Sequence, residues 1–417
     1  MPRLSPRSRV ARHLNLRAVA GTISATMAAS MVFMAPSPSW MSPSTSTSLL
    51  PSLDVPPATS IAWPETGSAA VVIPALSFER SHRNQVLPIA SLTKLMTAYV
   101  TLQKLPLDPG QRGPCLQINA GDVANYEATV QEGESNAAVA LGETLCENQL
   151  LAGLIVHSAG NFATMLANLT WGGTAAFVRQ MNVEARTLDL TGTHYADVSG
   201  VDAASVSTAL DVGELAARLM EYPVIREIAT QSTVTLPVAG TLGSYTPFID
   251  THNVVGVKSG RTQAAGGCDV MAMTFSLDGH TELAYAVVLG ARGGDLLTPA
   301  GDEALALERS VLSSQRTMWI PAGTVVGTIG WANQRVDVVV QKHLRLSWFA
   351  SLYPAIVRMH IEPTTQPVSP GEVVGTLRVE VGTVHQVPLT VTRSMSAFSL
   401  GPPRRSNVDS VGAPTAS

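Results

Sequence analysis

Residues 269–276 and 281–289 are two largely apolar runs joined across Asp278-Gly279. That dipeptide suits the left-handed backbone of a tight β-hairpin, so an antiparallel pair is written into this part of the chain. Residues 69–73 (AAVVI) and 254–258 (VVGVK) read as further strands. Between them lie helical patterns. Leu92, Leu95, Met96, Tyr99 and Leu102 fall at helical spacing and predict one buried stripe over 92–105. Residues 147–157, 174–188 and 211–220 read as three more helices. An antiparallel sheet with several helices around it is the simplest assembly. From about residue 316 the character changes to strand composition, as at 336–340 and 377–381. Here 321–328 (PAGTVVGT) is echoed by 369–376 (SPGEVVGT).

The length of 417 residues fits about two or three domains. With 45% hydrophobic residues the chain can bury a core. A net charge of −4 argues against a nucleic-acid partner held by phosphate neutralisation. Three cysteines are too few for a disulfide scaffold. The charge is also sorted. Five arginines fall in the first 17 residues, and no acid precedes Asp54. The rest carries 22 basic against 31 acidic residues, a net of −9. Residues 18–35 are uncharged, which as a helix would be about 27 Å long, near the thickness of a bilayer core. A basic segment before an apolar run is a signal peptide or an uncleaved signal anchor, and it sends the remainder of the chain outside the cytoplasm. The expected organisation is signal or anchor (1–35), Pro/Ser/Thr-rich linker (36–62), a main domain of sheet and helices (63–295), connecting helix with β-rich C-terminal domain (296–393) and a disordered tail (394–417).

Three short motifs can carry chemistry. In Ser91-Leu92-Thr93-Lys94 a serine and a lysine three apart share a helix face. Ser91 sits at the expected helix start, where unpaired N–H groups can stabilise an oxyanion. A lysine whose proton affinity is lowered by burial or a neighbouring cation can accept the serine proton. Ser158-Ala159-Gly160-Asn161 follows an apolar helix, and its serine and amide can relay a proton and bind a carbonyl. Lys258-Ser259-Gly260, then Arg261-Thr262, closes a strand and suits a substrate carboxylate. Gly260 would let a substrate backbone approach closely. The motifs are separated by 67 and 100 residues.

In that order, S-x-x-K, S-x-(x)-N and K-[ST]-G, the set resembles the penicillin-binding proteins and serine β-lactamases. The surrounding residues resemble the D-alanyl-D-alanine carboxypeptidases of peptidase family S11, in wording nearest their actinobacterial branch. They are Pro88 to Tyr99, Thr193 to Asp202 with Ser207-Thr208-Ala209, and Gly256 to Thr262 with Ala265 to Cys268. The resemblance covers roughly residues 60–295. It implies an α/β (α+β) fold with a β-lactamase/transpeptidase-like antiparallel sheet flanked by helices, beside a small C-terminal β-rich domain.

It also implies roles. Ser91 would be the nucleophile, Lys94 the general base and Ser158 a proton relay. The N–H groups of Ser91 and Arg261 would form the oxyanion hole. Lys258, Ser259, Gly260, Arg261 and Thr262 would contact substrate, with Lys258, Ser259 and Thr262 on its carboxylate. The substrate would be a peptidoglycan pentapeptide, with β-lactams as inhibitors. No cofactor or metal is implied, no nucleic acid, and a membrane only through an uncleaved N-terminal segment, on the extracytoplasmic face or in the wall.

Two residues depart from the family's pattern. Gly160 stands where S-x-N has its asparagine, so either the loop shifts and Asn161 takes that role or the amide contact is missing. Ser259 replaces the commoner threonine and still supplies a hydroxyl. The competing readings are a catalytically impaired binding protein and a β-lactamase. The nearest string to a class A glutamate motif, 184–189, ends in Asp189. An exported chain permits a Cys115–Cys146 disulfide, but the sequence does not supply the separation. Cys268 reads as a buried small hydrophobe, and His157 as structural.

Overall fold

A computed structural model describes residues 47–49 and 60–394, except 332–333 and 364–365. The apolar N-terminal run and the C-terminal tail beyond 394 lie outside the described residues, as does most of the linker. Within the linker, β1 (Thr47–Leu49) is a strand. The next elements are β2 (Ser68–Ile73), β3 (Phe78–His82), the short β4 (Leu87–Pro88), a 3-10 turn at Ala90–Leu92 and α1 (Thr93–Lys104). Then come β5 (Cys115–Gln117), α2 (Ala120–Gln131), β6 (Thr144–Cys146), α3 (Glu147–Val156), α4 (Gly160–Trp171) and α5 (Thr174–Thr187). They are followed by β7 (Val206–Ser207), α6 (Ala209–Leu219), α7 (Pro223–Ala229), β8 (Thr233–Leu236) and β9 (Gly240–Gly243). The hairpin lies within β10 (Val254–Thr262), β11 (Gly266–Leu277) and β12 (His280–Ala291), before α8 (Leu297–Leu312).

These strands form an antiparallel sheet in the order β10-β11-β12-β2-β3. Asp278 and Gly279 turn the hairpin with φ of 50° and 87°, the left-handed pair the dipeptide predicts. Period-two alternation sorts the sheet's side chains. Ala70, Val72, Val270, Ala272, Tyr285 and Val287 join the helical core on one face. Ala69, Val71, Ile73, Met271, Ala286 and Val288 join a second core on the other. That second face is covered by α8 through Ala300, Ala304, Leu307 and Val311, spaced by turns of the helix. The helix read from sequence as a connector is thus a layer of the first unit.

The expected single stripe on α1 is replaced by burial on every face, from Thr93 to Leu102. The helix is enclosed by α3, α4, α5 and α6. Two of its buried hydroxyls are satisfied inside the protein: Thr97 Oγ1 donates to Val198 O at 2.7 Å and Thr101 Oγ1 to Thr97 O at 2.8 Å. The lysine at its first turn is therefore held inside the protein. A Cys115–Cys146 disulfide ties β5 to β6 at the start of α3, settling the question the sequence left open. Cys268 is free and buried, as expected, and burial pushes its thiol up to about 12.

Beyond α8 lie β13 (Gln315–Ile320), β14 (Val325–Trp331), β15 (Gln334–Val340), β16 (Leu344–Phe349), β17 (Ile356–Ile361), β18 (Val373–Val381) and β19 (Thr383–Val391). Their main sheet has the order β1-β14-β15-β19-β18-β17, with β13 and β16 paired separately. The echoed octapeptides lead into β14 and β18 with the same geometry. Gly323 and Gly371 both have φ of 84°, and their N–H groups donate to Val340 O and Val391 O at 2.8 and 3.1 Å. Each strand shifts register just before its next glycine, Gly327 or Gly375. The partners β15 and β19 then pair with each other. The echo is therefore a repeated hairpin. β1 adds an edge to this sheet, with Thr47 opposite Ile329, so part of the expected linker is held as a strand.

Candidate active site

Ser91 lies in the 3-10 turn that delivers the chain into α1. Ala90 before it has φ of 48°, a costly conformation for a residue with a Cβ. The surroundings enforce it. A Cβ at Gly200 would fall 1.8 Å from Ala90 O, so this loop packs backbone against backbone. On the other side β10 runs flush with the serine: a Cβ at Gly260 would lie 2.6 Å from Ser91 N. The space over Gly260 is thus occupied by Ser91 itself. The backbone that Gly260 lets approach closely is that of Ser91.

Lys94 is fully buried. Its Nζ is 2.9 Å from Ser91 Oγ and donates to Ser199 O at 2.8 Å. Glu134 Oε1 lies 3.6 Å from the same nitrogen. Burial lowers the proton affinity of Lys94, while Glu134 and then Asp197 oppose that. The Asp197 carboxylate is fixed by N–H donors from Ser199, Gly200 and Val201 and by the Ser205 hydroxyl. A cleft of about 810 Å³ opens beside these groups, lined by Glu134, Gly160, Thr174, Asp197, Ser199 and Val201 among others.

Ser158 follows the C-terminus of α3 with φ of 59°. It is 3% exposed, and its hydroxyl has no hydrogen-bond partner among the described residues. A buried hydroxyl without a partner costs free energy, which a functional group tolerates more readily than a structural one. Neighbouring His157 is structural in its contacts. Its Nδ1 is 2.8 Å from Gly243 O and its ring stacks on Tyr245. Asn161 is fully buried in the first turn of α4. Its amide donates to Ala137 O at 2.8 Å and accepts from Ala137 N at 3.0 Å. Both amide functions therefore serve the loop after α2. That is the reason Asn161 does not present a free amide, contrary to the option that it replaces the motif's asparagine.

Lys258 is also fully buried, donating to Ser259 O at 2.7 Å. Burial, and then Lys94, hold its proton affinity well below that of a free lysine, against the pull of Asp269. Ser259 is buried and its hydroxyl donates to Tyr245 O at 2.8 Å. Arg261 is exposed, with Nη1 donating to Asp295 O at 2.7 Å. Thr262 Oγ1 accepts from Ala265 N at 3.0 Å and so closes the turn into β11. Among the described residues, no group of three or more His, Cys, Asp or Glu side chains could hold a metal ion. Sequence reading missed Glu134. It sits in the polar run Gln131 to Asn136, which has the composition of a solvent-facing loop.

The fold is that of the penicillin-binding and transpeptidase proteins. Penicillin-binding protein 5 from Haemophilus influenzae superposes with a TM-score of 0.56 at 19% identity, covering 81% of this chain and 98% of that one. The Streptomyces K15 DD-transpeptidase gives 0.51 at 20% identity, covering 61% and 97%. In sequence, residues 77–293 match the D-alanyl-D-alanine carboxypeptidase family, peptidase family S11, and the chain belongs to it. The D-alanyl-D-alanine endopeptidase of Escherichia coli is 31% identical over 228 residues, 51% of this chain and 69% of the relative. The D-alanyl-D-alanine carboxypeptidase DacD of Escherichia coli is 32% identical over 206 residues, 48% and 52%. The carboxypeptidase DacB2 of Mycobacterium tuberculosis is 30% identical over 192 residues, 44% and 61%.

Proposed function

We propose that this chain is a serine-type D,D-peptidase that removes the terminal D-alanine from peptidoglycan stem peptides through an acyl-enzyme on Ser91. The observation that carries the reading is the 2.9 Å contact between Ser91 Oγ and the buried Lys94 Nζ. In its neutral form Lys94 takes the Ser91 proton as Oγ attacks the carbonyl between the two D-alanines. The N–H groups of Ser91 and Arg261 stabilise the oxyanion. Ser158 passes a proton to the leaving amine. Lys258, Ser259 and Thr262 hold the terminal carboxylate after the Ser259 hydroxyl turns from Tyr245 O, while Thr262 Oγ1, which accepts from Ala265 N, still has its own proton to donate. Water then releases the shortened peptide. β-Lactams acylate the same serine. The reaction takes place outside the cytoplasm, to which the basic and apolar N-terminal segment directs the chain.

Relatives named endopeptidase favour a second reading, cleavage of a D-alanyl bond inside a longer peptide. Purified protein labelled with a fluorescent penicillin, beside Ser91→Ala, tests the shared acylation step. Label on the wild type alone is expected, and its absence sinks both readings. Free D-alanine from a pentapeptide then supports the carboxypeptidase. Cleavage of only a cross-linked peptide supports the endopeptidase. Label with neither product leaves a binding protein.

A further inference from the structure

Residue 160 has no side chain, and the place where one would begin is filled. A Cβ there would lie 2.0 Å from Glu134 Oε1 and 2.3 Å from its Cδ. Glu134 comes from the loop after α2, 26 positions earlier in the chain. Its side chain is 10% exposed, and Oε1 is buried without a hydrogen-bond partner among the described residues. What it faces is the Lys94 amine, 3.6 Å away. The other ion pairs among the described residues, Arg218–Glu221 and Arg378–Glu380, are exposed. A carboxylate withdrawn from water is tolerated only beside a compensating charge or donors, and here the lysine supplies that charge.

We propose that Glu134 is a positioning residue for Lys94. Its carboxylate, seated in the space left by Gly160, steers the amine against Ser91 and sets the charge the amine carries. A neutral amide in that space could orient the lysine without changing its charge. A carboxylate does both. The groups facing Lys94 are Ser91 on its own turn, the Ser199 carbonyl, Glu134, Asp197 and Lys258 on β10. Burial opposes the ammonium most strongly, and Glu134 and then Asp197 favour it. Removing the Glu134 charge therefore lowers the pH at which Lys94 gives up its proton.

The consequence for rate rests on the acylation reading above, but the ion pair is tested without it. The chain has four lysines, at 94, 104, 258 and 342, so [ε-13C]lysine labelling of the full chain gives four side-chain signals to titrate. Lys94→Arg identifies the one that matters. In Glu134→Gln the Lys94 midpoint is expected to fall by about one pH unit or more, a tenfold loss of proton affinity. Gly160→Ala, whose methyl displaces the carboxylate, is expected to reproduce the fall. The acid limb of the rate of penicillin labelling should move down in both variants. An unmoved Lys94 midpoint in folded Glu134→Gln overturns the proposal. A fall in Glu134→Gln with none in Gly160→Ala overturns the seating of Glu134 over residue 160. Failure of the wild type to label at Ser91 would instead count against the acylation reading, and the lysine titration would still decide the ion pair.

Discussion

Residues 68–312 and 315–391 both fold on antiparallel sheets, yet they bury different chemistry. The second unit packs Val326, Val336, Val338, Leu377, Val379, Leu389 and their neighbours, and its buried polar residues are hydroxyls such as Ser351 and Thr390. The first encloses Lys94, Lys258, Glu147, Asp269 and Glu308 at 0% exposure. Enclosing an ionisable group is costly in its charged form, so such a group is held towards neutrality unless a partner compensates it. The units also meet: Phe349 and Leu352 enter the core beneath α8, and Tyr353 packs edge-on against Phe78.

The comparison can be tested from both sides. Gly260→Ala places a methyl against Ser91 N and should slow penicillin labelling by about a hundredfold or more, the scale of a displacement of about 1 Å at a reacting centre. Labelling within a few-fold of wild type would show that the close approach of β10 is not what holds the nucleophile. Leu389→Ala, in the core of the β-rich unit, should cost about 2–5 kcal/mol in denaturant unfolding while the labelling rate holds. A parallel loss of labelling would mean that the second unit shapes the site. Replacing Cys115 and Cys146 by serine should cost about 2–4 kcal/mol, read as a fall in Tm against wild type.

The smallest effect concerns pH. Burial pushes the Asp269 carboxyl up to about 8, with Lys258 opposing. A carboxyl that holds its proton more tightly folded than unfolded binds more protons in the native state between those two values. Its contribution to stability therefore declines as pH rises from about 4 to about 8. Amide exchange on β11 should become faster, relative to β15, over that window, and Asp269→Asn should flatten the trend. Equal pH dependence of the two strands would remove the proposed difference between the units.

What could be read from sequence was local. The hairpin at Asp278-Gly279 is legible because a left-handed turn selects its residues. The Ser91–Lys94 contact follows from three-residue spacing at a helix start. The echo at 321–328 and 369–376 is legible because each glycine-led turn needs the same positive φ. What escaped was set by distant partners. Full burial of α1 depends on four helices arriving around it, and its own sequence shows only a stripe. The pairing of β1 with β14 depends on an unpaired sheet edge almost 280 residues away.

The site divides in the same way. By itself the sequence determined the Ser91–Lys94 contact, the strand bearing Lys258 and the family, because each rests on residues close in the chain. Only the tertiary structure decided that Gly260 admits Ser91, that the amide of Asn161 belongs to Ala137, and that Glu134 fills the place Gly160 leaves open. Those are questions of what occupies a few cubic ångströms between segments far apart in sequence, and close packing answers them only once every segment is in place.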